Sequence, residues 1–362
     1  MTRRKRAENF SAVEAQLRAL ERGDGEGTLT FADGASLHVS SLSKPFFPEA
    51  GITKGGLMRY YTRVAPALLP EIEGRALVLK RYPDGVGGPM FFQQNAGQHV
   101  PEAVRVATLD TVELGAKPRI VGGDLATLLY TVQLGAIEVH PWLSRIESVD
   151  APDRCLIDLD PGDDVPFADV AALAREVVRI AEGCGLTVAL KTSGASGIHI
   201  VLPLPPRTTY ETSAALALQL AEAVVAANPE AATVERGVKA RPKKSIYVDA
   251  LQNARGKSMA APYSVRARPA ASVSAPLRLR DLTSRLRIDA FTVGTMPARI
   301  KRVGDLWGDA IATRPTARTL ARALAALQRT SSAAPPRRGS SGRRRAGGKH
   351  AGPAPGRRAQ SA

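Results

Sequence analysis

Apolar and polar positions along the chain follow two different periods. Apolar residues at every third or fourth position predict helices over about 8–22, 53–69, 124–134, 167–182 and 212–227. Short apolar runs rich in β-branched residues predict strands at 28–31, 37–39, 77–80, 136–140, 155–161, 186–190, 198–202 and 245–250. The second half therefore has the order β-α-β-turn-β-α-β, which favours an α+β fold: a largely antiparallel sheet with flanking helices.

Composition narrows the class of protein. With 362 residues, 44% of them hydrophobic, the chain is long enough for a substantial core. No apolar run approaches the ~20 residues that span a bilayer, so we expect no membrane association. The basic start at 1–6 is not followed by an apolar segment, which argues against a secretory signal. Cys155 and Cys184 are far apart, which favours a reducing cytoplasm and makes a zinc site unlikely.

Charge is concentrated at one end of the chain. The net charge is +16, and residues 310–362 hold twelve Lys or Arg and no acid, which leaves +4 (16 − 12) elsewhere. We therefore divide the chain into a helical, basic extension (1–27), a main domain (28–309) and a basic Ala/Pro/Gly/Arg-rich tail (310–362) that is predicted to be largely disordered. Such a tail favours binding to nucleic acid, although a merely solubilising extension stays open.

Three aspartates indicate the chemistry. Asp158 and Asp160 lie two apart in a predicted strand, so both side chains leave the same face. Adjacent carboxylates repel unless a cation or a proton lies between them, and Mg²⁺ or Mn²⁺ prefers such oxygen ligands. Asp249, on another apolar strand, would complete a two-metal phosphoryl-transfer site. The alternative is a pair of solvent-facing acids on a half-exposed strand.

A glycine-rich turn at 193–197 lies between the two Asp strands. Glycines let backbone N–H groups approach an anion closely. The side chains that can add contacts to phosphate oxygens are those of Lys191, Ser193, His199 and, further on, Lys257 and Arg266. A solvated loop is the alternative for the downstream cations.

The N-terminal half offers candidates for DNA contact. Phe91 and Phe92 precede amide side chains, so exposed rings there can stack on bases, whereas a place in the core is the alternative for one of them. Lys44 and Lys54 can hold a phosphate or can be ordinary surface lysines. His140 ends a strand directed toward the same region. The motifs of P-loop enzymes, zinc proteases and serine hydrolases are missing from the sequence.

These motifs, in this order, resemble a known family. They are Leu42-Ser43-Lys44 with Phe47-Pro48, Phe91-Phe92, Glu138 to Trp142, Asp158 to Pro161, Thr192 to His199, Val248-Asp249, Gln252-Asn253 and Pro262 to Arg266. Together they resemble the polymerase domain of bacterial ligase D, in the archaeo-eukaryotic primase superfamily. The resemblance implies a primase-type, RRM-like catalytic core joined to an N-terminal α/β unit. It also implies template-dependent nucleotidyl transfer in repair of double-strand breaks by end joining.

The resemblance also implies roles for individual residues. Asp158, Asp160 and Asp249 would be catalytic and would bind two Mn²⁺ or Mg²⁺ ions. The residues expected to bind the incoming NTP or dNTP are Ser193, His199, Arg266, Lys191, Lys257 and His140. Phe91 and Phe92 would stack on the template, and Lys44 and Lys54 would hold the 5′-phosphate of a gapped or broken duplex.

The resemblance further implies partners. A Ku-type end-binding protein is expected as a partner. The chain itself is expected in the cytoplasm of a bacterium, associated with the nucleoid. Because no K-x-D-G ligase motif is found, we expect a free-standing polymerase that works with a separate ATP-dependent DNA ligase. Two alternatives remain: a non-catalytic DNA-end-binding or scaffolding protein of the same fold, and a metal-dependent nuclease that uses the same carboxylates.

Overall fold

The structure, a computed structural model, describes residues 3–111 and 115–332, with side chains described from 10 to 110 and from 115 to 330. Its α-helices are α1 Arg3–Arg22, α2 Lys54–Ile72, α3 Leu125–Gln133, α4 Phe167–Gly183, α5 Tyr210–Ala227, α6 Met296–Val303, α7 Leu306–Ala312 and α8 Ala317–Ser332. Its strands are β1 Gly27–Thr30, β2 Ser36–Val39, β3 Pro45–Phe47, β4 Ile52–Thr53, β5 Leu77–Arg81, β6 Phe91–Gln93, β7 Val106–Thr111, β8 Gly115–Ile120, β9 Ala136–Pro141, β10 Arg154–Pro161, β11 Ala189–Thr192, β12 Ile198–Pro203, β13 Ala232–Thr233, β14 Ile246–Asp249 and β15 Pro276–Leu277.

A six-stranded sheet forms the centre of the C-terminal half, in the order β13-β14-β10-β12-β11-β15. Its pairs are antiparallel, except for the parallel pair of β13 and β14. The predicted α+β class with a largely antiparallel sheet is therefore confirmed. Both predicted Asp strands are in this sheet, as the neighbours β10 and β14.

One face of this sheet is covered by helices. Ile157 and Leu159 on β10 are fully buried, and the Cys155 thiol on the same face donates to the carbonyl of Ser213 in α5 at 3.5 Å. Because side chains alternate along a strand, the even-numbered residues of β10 point to the opposite face. That face carries Asp158 and Asp160.

An N-terminal α/β unit packs beside this sheet. It contains α1, the hairpin of β1 and β2, the helices α2 and α3, and the three-stranded sheet β6-β5-β9. Buried hydroxyls of Tyr60 and Tyr61 in α2 donate to the carbonyls of Tyr263 and Ile137 at 2.8 and 2.7 Å. These bonds fix α2 against the segment that follows the Asp249 strand, through Tyr263, and against β9, through Ile137.

A buried ionic cluster links α2 to the first residues of β10. Glu71 pairs with Arg154 at 2.8 Å, and Arg75 pairs with Asp153 at 2.6 Å. Arg154 and Arg75 are almost fully buried, so each needs its carboxylate partner. The cluster sets the position at which β10 begins.

Predicted helix starts agree with the caps. Thr53 accepts the N–H of Gly56 at 3.1 Å at the start of α2, and Asp124 accepts the N–H of Thr127 at 2.7 Å at the start of α3. The hairpin of β1 and β2 is also found where its turn residues predicted it. Among the described residues, every helix is too short or too polar to traverse a bilayer.

One strand begins later than predicted. The apolar run 186–190 predicted a strand, whereas β11 is Ala189–Thr192. Gly185 has φ +77° and ends α4, and the Leu186 N–H bonds back to Ala181 at 3.0 Å. Residues just after the helix therefore complete its C-terminus, and the strand instead includes two buried polar residues, Lys191 and Thr192.

The C-terminal segment departs from the expectation of a largely disordered tail from residue 310. Residues 317–332 form α8, whose Leu320, Ala323 and Leu327 are buried. Their spacing of three and four residues gives an apolar stripe that packs on α5. The disorder predicted beyond this helix concerns residues 333–362, which lie outside the described residues.

Candidate active site

Strand pairing brings two of the three aspartates together. In the β10–β14 ladder Asp158 lies directly opposite Asp249, and in the β10–β12 ladder it lies opposite His199. Lys191 on β11 is opposite His199 in turn. Directly paired residues point to the same face of a sheet. Asp249, Asp158, His199 and Lys191 therefore form one row across four strands, which we call the polar row.

Asp160 extends this group along β10. Its side chain is 51% exposed, lies on the same face as Asp158, and is opposite Tyr247. The Arg241 guanidinium stacks over the Tyr247 ring at 4.0 Å and is 3.6 Å from the Asp160 carboxylate. Asp249 is held differently, since its carboxylate accepts the Leu251 N–H at 2.8 Å.

The carboxylates perturb each other. Burial, followed by the charges of Asp160 and Asp249, raises the pKa of Asp158 to about 7, although Lys191 and Arg266 act in the opposite direction. Like charges directly opposite on neighbouring strands are destabilising. A protonated Asp158 or a bound cation removes the repulsion.

The three carboxylates suit hard divalent cations by their chemistry. In the described residues, no three His, Cys, Asp or Glu side chains are already gathered around one common metal position. Asp158 and Asp249 nevertheless lie on one face with oxygens that repel each other, and the ionic partner of Asp160 among the described residues is Arg241, at 3.6 Å. Oxygen donors with unbalanced negative charge are the ligands that Mn²⁺ and Mg²⁺ take.

Lys191 is fully buried at the other end of the polar row. Its ammonium group contacts the His199 Nδ1 at 2.6 Å and donates to the Ser274 hydroxyl at 2.8 Å. Burial, followed by the charge of Arg266, lowers the pKa of Lys191 well below its ordinary value. Because Lys191 is fully buried, its side chain does not reach solvent. Within the described residues, it acts on the site through its contact with His199.

His199 connects the two halves of the polar row. Its Nδ1 contacts the Lys191 nitrogen at 2.6 Å, and its Nε2 lies 3.4 Å from the Asp158 carboxylate; if Lys191 is charged it can only donate to Nδ1, which leaves Nε2 as the donor of the ring. Burial, followed by the positive charges of Lys191 and Arg266, lowers the pKa of His199 well below its ordinary value. The lowered pKa favours a neutral imidazole, placed between Lys191 and Asp158.

The glycine-rich turn is organised by its own serine. The Ser193 hydroxyl oxygen accepts the N–H groups of Ala195, Ser196 and Gly197 at 3.1, 3.2 and 2.9 Å. Those N–H groups are therefore already used, and the expected cradle of free amides is not formed. A Cβ at Gly197 would lie 2.0 Å from the Leu159 carbonyl oxygen, so glycine is required for the close approach of the turn to β10.

Glu138, a buried carboxylate that the sequence pattern did not single out, holds the guanidinium group of Arg266. Glu138 on β9 accepts from Arg266 at 2.9 Å, from His140 at 3.0 Å and from Lys80 at 3.1 Å. Burial opposes ionisation, but the hydrogen bond from His140 and the charge of Arg266 hold the pKa of Glu138 far below its usual range. Arg266 also donates to the Ser193 carbonyl, which ties the turn to this cluster.

His140 is in this cluster rather than in the polar row. It contacts Glu138, and burial lowers its pKa despite that carboxylate. Lys257 is exposed in the loop after β14, where its carbonyl accepts the Leu143 N–H at 3.3 Å. The described contacts of Lys257 include none with the polar row.

Phe91 and Phe92 form β6 at the edge of the N-terminal sheet. They are 44% and 58% exposed, so the alternative that one of them is in the core is wrong. Phe91 pairs with Arg81 and Phe92 pairs with Lys80 on β5. The Arg81 guanidinium lies 4.8 Å from the Phe91 ring centre, which gives an aromatic surface with adjacent positive charge.

Lys44 and Lys54 lie side by side at the base of the hairpin of β3 and β4, where the Lys54 N–H donates to the Lys44 carbonyl at 2.8 Å. Burial and the charge of Lys44 lower the pKa of Lys54 to about 8. The ammonium of Lys54 donates to the Ser40 carbonyl at 2.9 Å, and that of Lys44 pairs with Asp84 at 2.7 Å. Among the described residues the two lysines share one carboxylate partner, Asp84, which pairs with Lys44, while Lys54 is buried against a backbone carbonyl.

Two contributors were missed by the sequence pattern. Glu138 occurs in an apolar strand, where a single acid has no motif spacing, and Arg241 lies in an irregular loop. From the run Glu138 to Trp142, the sequence pattern singles out only His140 as a candidate. A buried acid between β-branched residues is itself a signal, because such an acid needs a cationic partner.

Comparisons with known proteins show which family the chain resembles. The model of the family "LigD, primase-polymerase domain" matches residues 53–307. "Bifunctional non-homologous end joining protein LigD" of Bacillus subtilis (strain 168) is 35% identical over 74% of this chain, and "Multifunctional non-homologous end joining protein LigD" of Pseudomonas aeruginosa is 30% identical over 77%. The chain spans only 43% and 33% of the length of those two relatives.

A solved structure is similar over nearly its whole length. It is the "Polymerase Domain from Mycobacterium tuberculosis Ligase D in complex with DNA", with a TM-score of 0.71 and 30% identity. The likeness covers 77% of this chain and 99% of that one. Sequence and structure therefore agree, and this chain belongs to the LigD primase-polymerase domain family.

Proposed function

We propose that this chain is a template-dependent nucleotidyltransferase of the DNA primase and polymerase type, which fills gaps or extends ends during double-strand break repair by end joining. The observation that carries the proposal is the polar row. Along it, two carboxylates on β14 and β10 are followed by nitrogen groups on β12 and β11. A nucleotide triphosphate needs a metal-binding edge at the reacting oxygens and hydrogen-bond donors beside its phosphates, and the change from carboxylates to nitrogen groups along the polar row matches that need.

Asp158, Asp160 and Asp249 are the residues that would hold two Mn²⁺ or Mg²⁺ ions. When bound, such ions stabilise the charge on the attacking and leaving oxygens of an in-line displacement. The chain itself contributes three carboxylates on rigid paired strands, so their spacing is set before substrate arrives. Arg241 neutralises part of the charge on Asp160 until a stronger cation competes for that oxygen.

The remaining side chains supply positive charge and hydrogen-bond donors for the triphosphate. His199 offers its Nε2, because Lys191 contacts its other ring nitrogen. Arg266 is orientated by Glu138 and holds the carbonyl of Ser193. Ser193 then acts chiefly by shaping the turn, and His140 acts through Glu138. We propose no triphosphate contact for Lys257.

DNA binding is inferred from the likeness to a polymerase domain solved in complex with DNA. We assign template stacking to the exposed rings of Phe91 and Phe92. We assign a 5′-phosphate at a gap to Lys44 and Lys54, which lie side by side at the base of the hairpin of β3 and β4. A Ku-type end-binding protein and a separate ATP-dependent DNA ligase are the partners that end joining would require.

Primer extension tests the proposal directly. The substrate is a gapped duplex with a 5′-phosphate, supplied with ribo- or deoxyribonucleotides and with Mn²⁺ or Mg²⁺ in separate reactions. We expect the added nucleotide to follow the template. Asp249→Asn should lower the rate on the order of 10³-fold or more, because several kcal/mol of charge stabilisation depend on the metal ligands.

Asp164→Asn serves as the matched control, since Asp164 is an exposed acid in the turn after β10. It should leave the rate unchanged. Absence of incorporation by the wild-type chain, with tight binding to DNA ends, would instead support the non-catalytic end-binding protein. Loss of labelled DNA without nucleotide addition would support the nuclease.

A further inference from the structure

Helix α8 presents a row of cations that the proposed reaction does not use. Arg318, Arg322 and Arg329 are exposed and fall within ~40° of arc when viewed down the helix axis. Along the axis they are about 6 Å and 10 Å apart. We call these three side chains the arginine row. Helix α8 contains no acidic residue.

The opposite side of α8 fixes it to the protein. Leu320, Ala323 and Leu327 are buried, on the side of the helix facing away from the arginine row. The Thr316 hydroxyl caps the helix by accepting the Thr319 N–H at 3.1 Å, and Arg314 just before it pairs with Asp153 at 3.2 Å. The arginine row is therefore displayed on a rigid element.

The arginine row is not used inside the described part of the chain. Other surface arginines there have carboxylate partners, such as Arg179 with Glu176 and Arg287 with Asp289. Neither an ion pair nor a hydrogen bond with described residues involves the three guanidinium groups of the row. Helix α8 also follows the residues 53–307 that match the family model. Its charge is therefore a feature of this chain beyond the matched domain.

We propose that the arginine row binds the phosphate backbone of duplex DNA at a second site, distinct from the active site. Helix α8 packs on α5, and α5 covers the face of the sheet that carries Cys155, Ile157 and Leu159. The polar row is on the opposite face. The arginine row thus lies on the side of the six-stranded sheet away from the polar row. There it contacts the flanking duplex rather than the primer end.

The chemistry favours nucleic acid over a membrane surface. Guanidinium groups match phosphate oxygens in a two-pronged geometry and always carry charge. A helix that lies on a membrane also needs large apolar residues beside its cations. The residues of α8 that flank the arginine row include Ala321 and Ala325, and its leucines are turned toward α5. The chain continues from α8 into residues 333–362, which hold eight more Lys or Arg and no acid.

The test is the salt dependence of binding to a blunt duplex, measured by fluorescence anisotropy with the full chain. Each released counterion contributes ~0.9 to the slope of log affinity against log salt, so changing the three arginines of the row to glutamine should reduce the slope by about 3. The affinity at 0.1 M salt should fall by about tenfold or more. Changing them to lysine keeps the charge and should keep the slope.

The matched control removes three arginines from other surfaces, at Arg105, Arg179 and Arg287, which are exposed and paired with acids. An equal loss of affinity in this control would overturn the proposal, because it would show an effect of net charge alone. Unchanged binding in the glutamine variant would overturn it as well, as would preferential binding of the wild type to vesicles with anionic lipids. At saturating DNA, extension by the glutamine variant should match the wild type, so this result is separate from the test of the active site.

Discussion

Replacing Asp158 by asparagine should stabilise the metal-free protein while it removes activity. Asp158 lies opposite Asp249 and two residues from Asp160, and burial together with these charges raises its pKa to about 7. The asparagine has nearly the same shape as the protonated acid but cannot ionise. It therefore removes the repulsion permanently, and it also removes a ligand for the proposed metals.

The sign and the size follow from the two pKa values. Below pH ~4 the acid is protonated in both the folded and the unfolded chain, so it carries no penalty there. As the pH rises from about 4 through 7, the folded chain loses stability, because ionisation is easier after unfolding. The values 3.8 and about 7 differ by about three, at about 1.4 kcal/mol each, which sets an upper bound of about 4 kcal/mol. Because the side chain of Asp158 is 29% exposed, solvent screens part of this, and we expect about 2 kcal/mol.

Urea unfolding in a chelator, between pH 4.5 and 8.5, measures this difference. At pH 8 the Asp158→Asn variant should have a free energy of unfolding about 2 kcal/mol above the wild type, and the two should converge toward pH 4.5. Adding Mn²⁺ at pH 8 should stabilise the wild type and close the gap, because a ligand that binds only the folded state shifts the equilibrium. The exposed acid Asp164, changed to asparagine, is the control and should follow the wild type.

Two results would refute this reasoning. If Asp158→Asn were less stable than the wild type at pH 8 without metal, the carboxylates would not be repelling each other. If Mn²⁺ stabilised both proteins equally, Asp158 would not be a ligand, and the proposed metal site would have to lie elsewhere.

Three further predictions concern the surroundings of the polar row. Gly197→Ala should lower the free energy of unfolding, measured by urea denaturation, by about 2–3 kcal/mol, because the added Cβ would lie 2.0 Å from a carbonyl oxygen of β10. The control is Gly183→Ala, whose Cβ would meet nothing within 4 Å and which should be neutral or stabilising. Lys191→Met should raise the KM for nucleotide and slow single-turnover extension, with unchanged affinity for DNA, because His199 and Ser274 lose their buried partner. Kinetics equal to those of the wild type would assign Lys191 a structural role only. Phe92→Ala should weaken binding of single-stranded template by about 1–3 kcal/mol with no change in Tm, and an unstable variant would instead indicate a packing role.

Much of the six-stranded sheet could be predicted from local pattern. Apolar runs fixed the positions of β10, β12 and β14, and the period of two put Asp158 and Asp160 on one face. Register is different, because it depends on which residues of distant strands pair. The placement of Asp249 opposite Asp158, across about ninety residues, follows from packing of the whole sheet, which no single segment encodes.

The parts that were missed depend on long-range partners. Glu138 becomes a hub only because Arg266, 128 residues later, folds back onto β9. Helix α8 lies in a basic, alanine-rich segment, and this composition predicted disorder although the segment contains regularly spaced leucines. Its stability comes from contact with α5 rather than from its own sequence, as is usual for a short helix in water.

Strand β10 must hold charges that oppose folding, and its other features offset that cost. The face opposite Asp158 is wholly apolar, with Ile157 and Leu159 fully buried against helices. The start of the strand is anchored by the buried pair of Arg154 and Glu71 at 2.8 Å. Burial of the Ile157 and Leu159 side chains contributes roughly 3–6 kcal/mol to the stability of the fold. This exceeds the expected repulsion between the carboxylates, about 2 kcal/mol. Because the strand remains folded without help from the polar row, its acidic face can be kept for function, and the gain in stability predicted for Asp158→Asn measures what that function costs.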